Sequence, residues 1–188
     1  MAWPSDAEAD MPTPTPIDDP RATLRHALRR LEAALDEARP WTLADAHRDV
    51  ALAYAALGAW PSAMTMLEAA LRWAHAVGAG DQVVDLQCEC IELLACESEA
   101  LERGLHGSGR AAREKARDLV FDAARLAARV ADPRWEVSVL LRLSDVLDRF
   151  GDRDDATVLQ VRALQLTAGA TLPPTAPSLA DASQARRH

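Results

Sequence analysis

Phenylalanine and tyrosine are nearly missing, with two Phe and one Tyr in 188 residues, and β-branched runs are short. Sheets are built from such residues, so the sequence points to closely packed helices, an all-α fold. Lysine is almost absent too. Lys115 apart, the permanent positive charge is arginine, the usage of a GC-rich, bacterial type of coding sequence, and it carries no mechanism. The net charge of −8 argues against a general nucleic-acid surface, which needs clustered cations to displace counterions. Cysteine is sparse and odd in number: Cys88, Cys90 and Cys96 fall in one predicted helix, where side chains two apart point to different faces. A disulfide framework is therefore not expected; reduced thiols of a cytoplasmic protein are. No apolar run reaches membrane-spanning length, and Asp6, Glu8 and Asp10 stand among prolines where a secretory leader places positive charge. Neither membrane association nor export is predicted.

Alanine dominates what is present, and the length suits one domain with tails. Pro4, Pro12, Pro14, Pro16 and Pro20 make residues 1–20 a flexible leader. Leu24, Ala27, Leu28, Leu31 and Leu35 then recur at helical spacing, predicting a helix over 21–39 that Pro40 ends. Thr42 suits the cap of a second helix, which runs to Leu57. Gly58 suits the left-handed position that closes it, and Pro61 the first turn of the third helix. That helix ends near Gly78-Ala79-Gly80. A fourth, from Asp81 to Gly104, is acidic up to Glu102, whereas a fifth opens with Arg110, Arg113, Lys115 and Arg117. The two are expected to face each other. A sixth helix ends at Gly151 and a seventh near Gly169, and residues 170–188 read as a disordered tail.

The hairpins repeat. Tyr54, Leu57, Gly58, Ala63 and Ala70-Leu71 return as Leu147, Phe150, Gly151, Ala156 and Ala163-Leu164. A weaker copy lies between, where Ala116, Val120 and Ala123 repeat the spacing of Ala63, Leu67 and Ala70. This pattern of a large apolar residue, a turn glycine and small alanines at the crossings, with Trp60 as the turn aromatic, resembles the tetratricopeptide repeat from about Ala44 to Thr167. The resemblance implies a short α-solenoid of about seven helices over 21–169, with hairpins near 42–78, 81–131 and 134–168 behind the helix 21–39. A generic helical bundle is the alternative. Physics favours stacking, since no single hairpin here can hide its apolar face alone.

Candidate chemistry is thin. His26, His47, His75 and His106 lie on separate segments, and none forms the i, i+4 pair of a helical metal site. Cys88 and Cys96 are offset by about 80° around a helix, which suits core filling better than joint ligation. Gly107-Ser108-Gly109 precedes a helix and allows an anion at its N-terminus or else a plain loop. No metal, cofactor or catalytic residue is predicted, and the acidic fourth helix is either solvated, paired with arginines, or open to a basic partner.

The family resemblance implies binding in the groove lined by the first helix of each hairpin. Carried over, it assigns Asp45, Arg48, Leu52, Ala55 and Ala56 from the first copy, and Ser138, Leu141, Asp145, Asp148 and Arg149 from the third. This mixture suits an amphipathic peptide, unless the helix 21–39 fills the groove. The implied function is a non-catalytic scaffold or adaptor binding a peptide or helix of a partner protein. A small secretion-type chaperone and a sensor or regulatory subunit are the alternatives. Val158, Val161 and Leu164 lie off the apolar stripe of the last helix, so either the tail or a second copy of the chain is expected to cover them.

Overall fold

Alanine and leucine at helical spacing, punctuated by Pro and Gly, set the architecture. A computed structural model describes residues 19–104, 109–130 and 132–168. Among these residues there are seven helices and no strand: α1 (Pro20–Glu37), α2 (Pro40–Ala56), α3 (Trp60–Val77), α4 (Gly80–Arg103), α5 (Arg110–Ala127), α6 (Pro133–Arg149) and α7 (Arg153–Ala168). The fold is all-α, with helices 2 and 3, 4 and 5, and 6 and 7 packed as hairpins. The expected tail and Leu105–Ser108 of the glycine-rich loop lie outside the described residues, as does the expected leader except for Asp19 and Pro20. Those two open α1, where the Asp19 carboxylate accepts a hydrogen bond from the Arg21 N–H at 2.9 Å.

The first junction corrects the sequence reading. Pro40 does not end α1; it is the first residue of α2, a position where its missing N–H costs nothing. Thr42 is not the cap either, and its hydroxyl donates back to the Arg39 carbonyl at 2.8 Å. With only Ala38 and Arg39 between the helices, α1 is closed by Ala38 in the left-handed conformation, φ 52°. Ala38 is the one non-glycine among the described residues with positive φ.

The repeat extends to the hydrogen bonds of the turns. The Ala59 N–H donates to the Tyr54 carbonyl at 3.0 Å, and 93 positions later the Asp152 N–H donates to Leu147 at 2.9 Å. Gly58 and Gly151 sit at φ 70° and 79° in these two Schellman-type closures. The small residues of the copies are buried alike: Ala63, Ala70, Ala116, Ala123, Ala156 and Ala163.

Two large clusters form the core. One joins Leu67, Ala70 and Ala74 of α3 to Leu86, Cys90 and Leu93 of α4. The other joins α4 through Val84, Cys88, Ile91 and Leu94 to Val120 and Ala124 of α5, and on to Leu140, Leu143, Leu147 and Leu159. α4 therefore belongs to both, with one stripe facing each neighbouring hairpin. α1 packs on Leu43, Ala46, Val50 and Ala53 of α2 through Leu24, Ala27, Leu31 and Ala34.

Gly58 and Ala38, both at positive φ, give a mirrored prediction. A Cβ at Gly58 meets nothing within 4 Å, so Gly58→Ala should destabilise by about 1 kcal/mol through backbone strain alone. Ala38→Gly, relieving the same strain, should stabilise by up to about 1 kcal/mol. Urea unfolding of both variants checks the signs.

Candidate functional site

On α2, residues 45, 48 and 52 share a face because they are three and then four positions apart. That face is roughly opposite the stripe that receives α1, so α1 does not fill the groove. Asp45 and Arg48 are exposed, and Leu52 is 47% exposed. On α4 the matching stripe is Gln82, Asp85, Glu89, Glu92, Cys96 and Glu99. The two helices are joined by a Gln82 Nε2 hydrogen bond to Asp45 Oδ1 at 2.8 Å and by Arg48 Nε to Glu89 Oε1 at 2.7 Å.

The far side of the α4 stripe meets α6. Arg142 lies 2.9 Å from Glu92 and 3.8 Å from Asp85, and Arg149 lies 2.6 Å from Glu99. Partners rise together in number, Asp45 with Gln82 and Arg48 with Glu89, then Arg142 with Glu92 and Arg149 with Glu99. The first helices of the three hairpins consequently run parallel and share one surface. An up-and-down bundle would set neighbours antiparallel instead.

α4 and α5 do face each other as one hairpin, but they meet mainly through apolar side chains. α5 turns Ala116, Val120, Ala123 and Ala127 inward, so its cations leave sideways. Arg113 reaches Glu102, but Lys115 goes to Glu68 of α3 and Arg117 to Asp152.

Of the residues assigned to the groove, Asp45, Arg48, Leu52, Leu141, Asp145 and Arg149 lie on or beside the shared face. Leu141 is 49% exposed, and Asp145 has no ion pair among the described residues. Ala55 is different: half-buried against the cluster of Ala51, Ala63 and Leu67, it belongs to the core edge. Missing from the sequence assignment was α4 itself, which supplies the middle of the surface. Its signal was the seven-residue spacing of Asp85, Glu92 and Glu99.

Burial tunes the charges. Glu89 is only 9% exposed; its Oε1 takes Arg48, and Oε2 is buried with no hydrogen-bond partner. The hydrogen bond to Glu89 raises the Arg48 pKa further, against partial desolvation. Asp85 is held above the usual carboxylate range, chiefly by desolvation; Arg142 and Arg48 pull it down, while Glu89 and Asp81 push it up. Burial drives the Cys88 and Cys90 thiols up to about 12, which favours the neutral thiol near neutrality. Cys96 is half-exposed, its Sγ 3.8 Å from Arg149 Nη2.

On α7, Val161 is 44% and Leu164 68% exposed, and Val158 is half-buried. In the first copy the counterpart of Leu164, Leu71, is half-buried against the cluster shared by α2, α3 and α4. Among the described residues no helix is long and apolar enough to cross a membrane. No protein-family model matches the chain, and no curated protein matches it significantly.

The thiols supply a test of this burial. Titrated with a chromogenic disulfide at neutral pH, the native protein should react rapidly at one thiol, Cys96, and at three in denaturant. Thiols raised in the folded chain give stability that is whole below their ordinary value of 9.0 and fades as pH climbs toward about 12. Rapid native reaction of two or more thiols would contradict the packing of α4.

Proposed function

We propose that this chain is a non-catalytic scaffold of the tetratricopeptide type, holding a helical or extended segment of a partner protein along the surface shared by α2, α4 and α6. The observation that carries the reading is the pair Leu52 and Leu141, half-exposed on the first and third of three parallel helices with a charged strip between them. Apolar anchors around desolvated polar contacts are what a peptide groove requires. The buried, unreactive Cys88 and Cys90 suit a reducing compartment, and we place the protein in the cytoplasm.

Leu52→Glu and Leu141→Glu put charge at positions that are already half in water, so the fold should survive and helicity by circular dichroism should be retained. A partner captured by the wild-type chain should be lost from both variants. Binding that persists in both would sink the groove reading.

Exposed Val161 and Leu164 support a second contact, with another copy of the chain meeting α7 to α7. On this reading the wild type sizes as a dimer in light scattering and the double variant Val161→Arg, Leu164→Arg as a monomer. A wild type that is monomeric at high concentration overturns it.

A further inference from the structure

At the N-terminal ends of α2 and α4 the shared surface deepens into a pocket of about 370 Å³, lined by Asp45, Arg48, Ala79, Asp81, Gln82, Asp85 and Leu86. Three carboxylates border it. Among the described residues the one cation in its wall is Arg48, which hydrogen-bonds Glu89 through both Nε and Nη2 and also acts on Asp45 and Asp85. Arg142 stands closer to Glu92 than to Asp85, at 2.9 against 3.8 Å. Among the described residues Asp45 accepts a hydrogen bond from the neutral amide of Gln82, and the Asp81 carboxylate accepts one from the neighbouring backbone N–H of Gln82 at 2.9 Å, neither of them from a cation. Behind them the buried Glu89 adds a further negative charge with one oxygen unpartnered. Three carboxylates against one arginine leave the pocket with excess negative charge, and the half-buried Asp85 adds to the worth of an opposite charge there.

Its geometry selects the kind of cation. No three His, Cys, Asp or Glu among the described residues are placed to hold one metal ion, so the carboxylates are too dispersed for a point charge with short ligand bonds. A guanidinium spreads its charge over a planar fork of donors and can bridge separated carboxylates.

We propose that the Asp45/Asp81/Asp85 pocket receives an arginine side chain of a basic, amphipathic partner segment whose apolar residues continue along the shared surface to Leu52 and Leu141. The inference rests on the groove reading above and adds the chemistry of the occupant. Along the whole face, Asp45, Asp85, Glu89, Glu92, Glu99 and Asp145 outnumber Arg48, Arg142 and Arg149, and all three arginines are bound internally. A basic segment therefore complements this surface along its length.

The probe is a fluorescein-labelled helical peptide with arginine on one face and leucine beside it, compared with the same peptide carrying glutamate for arginine. Anisotropy with the full chain should show binding of the arginine peptide that weakens steeply with salt, and none of the glutamate peptide. Neutralising the pocket by Asp45→Asn, Asp81→Asn and Asp85→Asn, with helicity checked, should weaken binding about tenfold. Glu114→Gln with Asp118→Asn, on α5 and away from this face, should leave it unchanged. Failure of the arginine peptide to bind, equal binding of both peptides, or equal losses in the two sets of variants overturns the proposal. Arginine-peptide binding that is lost in Leu52→Glu yet indifferent to the pocket variants also overturns it, while leaving the groove itself standing.

Discussion

Close approach of helix backbones at alanine is the constraint on which the rest of this molecule depends. Ala63, Ala70, Ala116, Ala123, Ala156 and Ala163 are all buried at crossings. With so little aromatic volume, stability has to come from many short-range contacts between closely set helices rather than from a few large side chains in a central core. That explains why α4 sits in both large clusters: each hairpin hides its apolar face only by lying against the next. Any larger residue at these crossings would separate two helices at once and disturb the register of everything beyond.

The charged strip follows from that stacking. Once hairpins pile up with their first helices parallel, one face of each is left over, and here those faces carry arginines on the outer helices and carboxylates on the middle one. Exposed ion pairs stabilise by only about 0 to 1 kcal/mol each. Arg48–Glu89 stands apart, because the carboxylate is nearly buried and losing its arginine would strand a charge in the protein. The strip thus matters less as glue than as a way of fixing how α2, α4 and α6 are turned toward a common side.

Much of this was legible in the sequence, and the failures have physical causes. Seven helices and the equivalence of Gly58 with Gly151 follow from periodicity and turn chemistry, since glycine is the residue that takes positive φ without cost. Pro40 misled because proline both stops one helix and starts another, and with two residues between helices the sequence cannot say which. That α4 and α5 lie against each other was legible, but charge along a helix says nothing about rotation, and the alanine stripe of α5 decides which side chains meet. Asp45, Arg48 and Leu52, which the family resemblance grouped together, share one exposed face of α2, but the exposure of a side chain as small as Ala55 could not be read from the pattern. The central contribution of α4 was hidden because the second hairpin, with its longer connection, is out of register with the other two.

One contrast between the ends of the array has a wider meaning. Leu71 of α3 is half-buried against the cluster that α3 shares with α4, whereas its counterpart Leu164 on α7 is exposed among the described residues. Among the described residues, α7 thus leaves apolar side chains in the open at the place where α3 lies beside α4. A further hairpin added by tandem duplication would find an apolar seat there. An array of this kind can change length by whole modules, extending the shared face of its first helices while the existing turns and crossings stay as they are.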